Sequence, residues 1–438
     1  MDSTPSLRQR IYEMLMESQY WPPEQMLAFQ RSQLAQLLRH AKATVPFYKT
    51  RLDVVFKNNG EIDWDRWHEI PIVTRADLRD RRHEMLTTAL PPGHGPTKTF
   101  HSSGSSGVPV SVEVTQLATV AKHAAMSRQL VYGRVNPRKT RAQSVYVNAN
   151  GELFEEEFYY RDSQQDKGSA LPEARDIAIN RKLPDRRKLQ LLKELSVSYL
   201  FENPNNAELL ARANLVYGEG VKLEGIFCSG QELTAEQKKL FRESFGARGH
   251  IIYSSKEGGI MAFECSNSQN FHVNSELILL ETATLEGSQC ETGQIGRVII
   301  TPFFSTALPL IRYDQGDTAK FFPSCDCKIK LPVLGQIDGR QDQKFLMPSG
   351  EKSVTGLGSS FICASLNAHA FQLAQTATLK MEVRFVPAQA NTQIETAPLI
   401  AHFHKLIHPD LEIIFKPVDE IPLNAGGKQQ RIVCEIAR

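Results

Sequence analysis

Pro184-Asp185-Arg186-Arg187-Lys188-Leu189-Gln190-Leu191-Leu192-Lys193-Glu194-Leu195 reads as a helix. Ser196-Val197-Ser198-Tyr199-Leu200-Phe201, directly after it, reads as a strand. Working outward, the stretch Gln143 to Val147 is strand-like, Ala207 to Tyr217 is helical, and Leu223 to Cys228 is again strand-like. Strands alternating with helices build βαβ units, which predicts a parallel sheet covered by helices with ligands at the carboxyl ends of its strands. The later stretches Leu277 to Glu281 and Arg297 to Thr301 are richer in strand and turn signals. The fold class expected is therefore α/β, with mixed or parallel helix-covered sheets in a large N-terminal domain.

Toward the N-terminus, Leu27 to Lys49 places Leu34, Leu37, Leu38 and Ala41 at helical spacing and stops at Val45-Pro46-Phe47-Tyr48. A second helix is expected from Thr74, whose hydroxyl can cap it, with Asp77 favourably placed in the first turn. Pro91-Pro92-Gly93 breaks the chain. Near Gly339 to Gln343 a boundary is expected, after which Met381 to Phe385, His402 to His408 and Leu411 to Phe415 suggest a small α+β domain joined by a short hinge. The domains so predicted are 1–339 and 340–438; the His402, His404 and His408 trio is read as faces of a helix.

At 438 residues the chain exceeds the size at which one core stops growing, so two domains agree with its length. Its formal charge is +2, from 51 basic and 49 acidic residues, without a long cationic block, and nucleic acid is excluded as a partner. Met1-Asp2-Ser3-Thr4-Pro5 lacks a basic start before an apolar core and no apolar run reaches about 18 residues, so a cytoplasmic protein without a membrane partner is expected. Seven cysteines, an odd number, argue for reduced thiols or metal ligands.

Ser102, Ser103, Gly104, Ser105, Ser106 and Gly107 form a compact loop ahead of Val108-Pro109-Val110 that can offer backbone N–H groups and hydroxyls to a polyphosphate. It is no Walker loop, since no Gly-Lys-Ser/Thr follows, and taken alone it suits a flexible linker equally well. Four further segments accompany it: Ile251-Ile252-Tyr253-Ser254-Ser255-Lys256-Glu257-Gly258-Gly259, Pro309-Leu310-Ile311-Arg312-Tyr313-Asp314-Gln315-Gly316-Asp317, Gly339-Arg340-Gln341-Asp342 and Gly426-Gly427-Lys428-Gln429-Gln430-Arg431. In order and spacing this set resembles the adenylate-forming superfamily of acyl-CoA synthetases and adenylation domains, in its phenylacetate-CoA ligase and capsule-biosynthesis branch. The opening through Val45-Pro46-Phe47-Tyr48 and Ile70-Pro71-Ile72-Val73-Thr74 is similar to that branch too.

The resemblance implies an AMP-forming acid–thiol ligase using ATP, Mg²⁺ and coenzyme A on an aryl or small carboxylic acid. It implies that Ser102 to Gly107 hold the leaving pyrophosphate and that Glu257 helps bind Mg²⁺, a hard cation suited to oxygen ligands. Tyr253 and Ser254 would flank adenine and the acyl carboxylate, and Gln231 and Glu232 would form an adenine-side turn. Asp317 would accept both ribose hydroxyls, and Arg340 would contact ribose. Asp342 would be the hinge, although Gln343 departs from the usual second Asp. Lys428 would bridge the acyl carboxylate and the α-phosphate. Singly, Glu257 reads as a solvated loop carboxylate, Asp317 as a turn residue and Lys428 as a surface lysine. Phe201 to Pro204 and Ser229 to Gln231 would border the acyl pocket, with Tyr146 a candidate lining residue. The acceptor could instead be a carrier-protein thiol or an amine, and a nucleotide-binding partner protein without catalysis is a further reading; a homodimer is open to the chain. Cys265, His272, Cys325 and Cys327 lie shortly after two of these motifs, and four such ligands suit tetrahedral Zn²⁺, with buried cysteines and a surface histidine as the plain alternative.

Overall fold

The computed structural model describes residues 5–101, 110–145, 155–161, 175–268, 270–284, 286–338, 345–348, 352–353, 359–387, 394–422 and 431–436. The strands in chain order are β1 Thr97–His101, β2 Ser111–Thr115, β3 Thr140–Val145, β4 Phe158–Tyr160, β5 Asp176–Asn180, β6 Val197–Glu202, β7 Gly225–Ser229, β8 Arg248–Ser255, β9 Gly259–Glu264 and β10 Phe271–Val273. They continue as β11 Ile278–Ala283, β12 Gly296–Pro302, β13 Tyr313–Phe322, β14 Val333–Asp338, β15 Phe345–Leu346, β16 Lys352–Ser353, β17 Ala368–Ala377, β18 Lys380–Pro387, β19 Glu412–Pro417 and β20 Ile432–Cys434. The helices are α1 Leu7–Ser18, α2 Pro23–Thr44, α3 Arg75–Asp80, α4 Arg82–Met85, α5 Gln116–Tyr132, α6 Asp185–Glu194, α7 Pro204–Tyr217, α8 Ala235–Phe245, α9 Ser359–Ser365 and α10 Thr396–Leu406.

Twelve strands form the main sheet in the order β11-β12-β13-β14-β10-β9-β8-β7-β6-β3-β5-β4. From β8 through β7, β6 and β3 to β5 neighbouring strands run parallel, as the strand and helix alternation predicts. Beyond β8 every pair out to β11 is antiparallel. The change falls at the β8–β9 turn, so Lys256-Glu257-Gly258 sits where the carboxyl edge of the parallel half meets the start of the antiparallel half. α6, α7 and α8 cover one face of the parallel half around Leu189, Leu192, Leu210, Phe241 and Phe245. α1 and α5 contribute Leu15, Ala124 and Ala125 to a second cluster with Phe227 and Ile252.

Helix ends follow local chemistry. α2 begins at Pro23, a residue tolerated at the first helical position, four residues before the expected start. At α3, Thr74 and Asp77 form a reciprocal capping box, and Thr234 with Gln237 does the same at α8. α10 ends at Leu406, so His402 and His404 are helical while His408 lies beyond the helix, its electrostatic partner Asp410 also outside it. Inside the main body, Arg128 is fully buried and donates from Nη1 to Glu276 Oε1 at 2.8 Å and from Nη2 to Oε2 at 2.9 Å, while Ser18 Oγ donates to the same carboxylate at 2.6 Å. This ion pair ties α1 and α5 to the β10–β11 connection.

The second half of the expectation also appears: β17 to β20 form a four-stranded sheet, β19-β18-β17-β20, with its own core of Leu373, Met381, Val383, Leu399 and Phe403 under α9 and α10. The hinge positions Gly339 to Gln343 lie outside the described residues.

Candidate active site

The carboxyl ends of β6, β7 and β8 form one edge. Asn203, which caps α7, donates from Nδ2 to the Ser229 carbonyl at 3.4 Å, bringing together the two stretches expected near the acyl group. Gly230 follows with φ +83°, a left-handed conformation glycine adopts without penalty, and redirects the chain into Gln231, half-buried, and Glu232, exposed.

Tyr253 lies on β8, where the parallel half ends, and Asp317 on β13 within the antiparallel half, 64 positions away, and the Tyr253 hydroxyl donates to Asp317 Oδ2 at 2.9 Å. Two motifs expected to hold one nucleotide therefore share a hydrogen bond. Ser255 Oγ donates to Gln315 Oε1 at 3.2 Å and accepts from the Gly258 N–H at 2.8 Å, which fixes the turn between them. Gly258 has no room for a side chain, since a Cβ would sit 2.7 Å from Met261 Sδ. Gly316, at φ +82°, donates to Asp314 Oδ1 at 2.9 Å, and this turn presents Asp317.

Glu257 is buried, with only 1% of its side chain exposed, and neither carboxylate oxygen accepts a hydrogen bond among the described residues. Among the described residues the nearest cation is Arg75 Nη1 at 3.9 Å. A buried anion in that condition is costly unless something neutralises it. Its two oxygens fit a hard divalent cation, so Mg²⁺ is compatible with this position.

The N-terminal motifs explain how the Asp317 strand is held. Tyr48, from Val45-Pro46-Phe47-Tyr48, donates to the Pro309 carbonyl at 2.9 Å and accepts from the Ile311 N–H at 3.1 Å. Burial pushes its phenol well above the ordinary value. Arg312 adopts φ +53°, rare for a side-chain-bearing residue, and its buried guanidinium donates to the carbonyls of His68, Ile70 and Gly287. Val73 N–H donates to the Arg312 carbonyl at 2.9 Å, and Asp314 N–H donates back to Val73 at 2.9 Å. Arg312 thus serves as an internal clamp beneath the site. Burial raises the carboxyl of its neighbour Glu281, with Arg312 opposing that rise.

Ser102 to Gly107, Arg340, Asp342, Lys428 and Tyr146 lie outside the described residues. The residues bounding the first of these, His101 and Ser111, pair across the β1–β2 ribbon. Two cations stand nearby that sequence reasoning missed. Lys256 lies over the Phe100 ring at 5.3 Å, and Lys122 on α5 is close enough for the two to repel. Burial, then that repulsion, lowers the Lys122 ammonium to about 8. The available signal was negative: residues 99–115 contain no lysine or arginine, so positive charge for a polyphosphate must come from other elements.

Cys265, His272, Cys325 and Cys327 converge, with one ligand atom of each lying within 4.8 Å of all the others. Cys265 and Cys325 Sγ are 3.6 Å apart, and Cys327 Sγ is 3.2 Å from His272 Nε2. Tetrahedral ligation with zinc–sulfur bonds of about 2.3 Å separates sulfurs by roughly 3.8 Å, so the donor set fits a zinc ion. His272 Nδ1 faces the Leu331 carbonyl at 3.4 Å, the outer partner a metal-bound imidazole uses. Burial pushes the Cys327 thiol up to about 12. The site joins the β9–β10 hairpin to the β13–β14 connection, away from Tyr253 and Asp317.

No family model matches the chain. A phenylacetate-coenzyme A ligase of Thermus thermophilus is 24% identical over 336 residues, which cover 74% of this chain and 73% of the relative. Combined with a shared fold over the full length, this relation is decisive: 2-hydroxyisobutyryl-CoA ligase in its post-adenylation state superposes with a TM-score of 0.72 at 17% identity, covering 99% of this chain and 94% of that one. The chain belongs to the adenylate-forming superfamily. The same ligase in its thioesterification state matches with a TM-score of 0.62 at 18% identity. In this chain Tyr253 and the Glu257 turn lie at the switch between the parallel and antiparallel halves of the sheet, a place where open α/β sheets bind ligands, and Asp317 reaches Tyr253 from β13.

Proposed function

We propose that this enzyme activates a carboxylic acid with ATP as an acyl-adenylate, releases pyrophosphate and transfers the acyl group to coenzyme A. The observation that carries the reading is the Tyr253–Asp317 hydrogen bond together with the buried carboxylate of Glu257, which accepts no hydrogen bond among the described residues. Asp317 has one oxygen engaged by Tyr253 and takes ribose hydroxyls, while Tyr253 and Ser254 face adenine and the acyl carboxylate. Gln231 and Glu232 turn along the adenine side, and Arg340 contacts ribose. Glu257 would hold Mg²⁺, which would supply neutralisation of phosphate charge there. Ser102 to Gly107 donate to the departing pyrophosphate, with Lys122 and Lys256 supplying the positive charge that loop lacks. Lys428 offsets repulsion between carboxylate and α-phosphate. Catalysis on this view is positioning and charge neutralisation.

The acid is aryl or small. Phe201 and Phe227 stack at 5.0 Å between centroids, and Phe227 stacks on His250 at 4.7 Å, an aromatic row running across β6, β7 and β8 below the edge. Residues 1–339 carry the nucleotide and acid, and residues 340–438 form the unit that brings Lys428. Zinc at Cys265, His272, Cys325 and Cys327 is structural. Carboxylate-dependent ATP–pyrophosphate exchange over aryl, small aliphatic and amino acids, with and without coenzyme A, tests the proposal. Exchange with one acid and a coenzyme A thioester as product are expected; ATP binding without exchange on any acid counts against it.

A further inference from the structure

Glu208, in the second turn of α7, has 4% of its side chain exposed. Its Oε1 accepts from Arg212 Nη2 at 2.8 Å and Nε at 3.1 Å, and its Oε2 accepts from Gln237 Nε2 at 3.0 Å. A further donor comes from the other sheet: Arg431 Nη2 donates to Glu208 Oε2. Arg431 belongs to the C-terminal sheet, where its carbonyl accepts from the Leu373 N–H at 2.7 Å and its guanidinium lies 5.8 Å from the Phe371 ring. The carboxylate therefore joins two separately cored units, α7 on one side and β17 with β20 on the other. Asn205, Cys363 and Ala370 line a small gap at the same contact.

Two features make this contact more than surface pairing. Arg212 and Arg431 both engage Glu208, so without its charge two guanidiniums would confront one another in an enclosed interface. Its place in the chain also matters. Asn203 and Asn205 set the start of α7 at the carboxyl edge of the sheet, and Arg431 follows Lys428 by three positions, which an extended chain spans in about 10 Å. Pinning Arg431 to α7 thus limits how far Lys428 can be from that edge.

We propose that Glu208 is a positioning residue for the adenylation half-reaction, docking the C-terminal unit through Arg431 and so holding Lys428 over the nucleotide. This rests on the adenylating reading for the role of Lys428. Burial alone would raise the Glu208 carboxyl, and Arg431, Arg212 and Gln237 outweigh it, holding it below the ordinary value, as a carboxylate shared by cations requires.

The test compares the wild-type enzyme with Glu208→Gln, Arg431→Gln and the double variant in two assays. One is ATP–pyrophosphate exchange with whichever acid the wild type uses; the other is thioester formation from that acid's adenylate and coenzyme A. Each single change should lower exchange kcat by about tenfold or more while thioester formation moves less than about threefold, and the double variant should lose no more than the worse single one. A paired-label distance between positions 239 on α8 and 405 on α10, with labels introduced as unnatural amino acids, gives a readout free of activity. Glu208→Gln should broaden or shift that distance. Equal loss in both half-reactions, or an unchanged distance distribution, overturns the proposal. A wild type that exchanges with no acid, yet shows the label shift in Glu208→Gln, overturns the adenylating reading and leaves the docking role standing.

Discussion

Replacing Glu257 with Gln should move stability and activity in opposite directions. The Glu257 carboxylate is buried, and among the described residues it accepts no hydrogen bond and has only the Arg75 guanidinium, 3.9 Å away, to offset its charge. An unsatisfied buried polar group costs about 1–3 kcal/mol, and an uncompensated charge more. Gln keeps nearly the same shape and the cost of an unsatisfied polar group but sheds the further cost of the charge, so in the absence of Mg²⁺ and ATP the variant should gain about 1–3 kcal/mol. For a unit of roughly 340 residues, an unfolding entropy of about 2.1 cal/mol/K per residue converts this to a rise in Tm of about 1.5 to 4 °C. Exchange activity should fall by about two orders of magnitude or more, because the amide oxygen is a poorer ligand for Mg²⁺ and leaves phosphate charge uncompensated. Differential scanning fluorimetry without nucleotide and pyrophosphate exchange at saturating Mg²⁺ measure the two arms. A lower Tm for Glu257→Gln would show that the carboxylate is held by a structural partner and would refute the reasoning.

Other outcomes follow from the same geometry. Lys428→Ala should abolish adenylate formation while leaving thiol transfer from supplied acyl-AMP within about threefold; equal loss in both half-reactions, read by exchange and thioester assays, sinks the assigned role. Lys122 releases its proton at about 8 in the fold and at about 10.4 unfolded, so the unfolded chain binds the extra proton between those values and stability rises with pH there. Lys122→Met should stabilise by about 1–3 kcal/mol at pH 7, a gain that disappears above about pH 10.5 in urea melts and is accompanied by weaker ATP binding. The purified protein should hold about one zinc ion per chain by elemental analysis, and Cys325→Ser should lose it; a metal-replete preparation without zinc counts against the site. Arg128→Met leaves Glu276 buried without its partner and should cost about 3–5 kcal/mol in denaturant unfolding; a change below about 1 kcal/mol would mean the pair is not structural.

Much of the fold was written in local pattern. The alternation from Arg141 to Cys228 specified parallel strands with crossover helices because periodicity and chain connection leave few alternatives. Capping at Thr74 was legible because Asp77 stands three residues on, a purely local geometry. The residues proposed to hold the nucleotide stood out as motifs, although their separations along the chain said nothing about distance. Tertiary structure alone decided that the Tyr253 hydroxyl meets Asp317, that Glu257 is buried without a hydrogen-bonding partner among the described residues, and that Cys265, His272, Cys325 and Cys327 converge. It also gave Tyr48 and Arg312 their meaning as clamps on the strand carrying Asp317, since each acts on carbonyls or amides more than 200 positions away. Lys122 and Glu208 left no motif at all. A helical lysine and a helical glutamate look like solvent-facing residues until another element covers them, and their charge acquires consequence only from the dielectric and the partners that packing imposes.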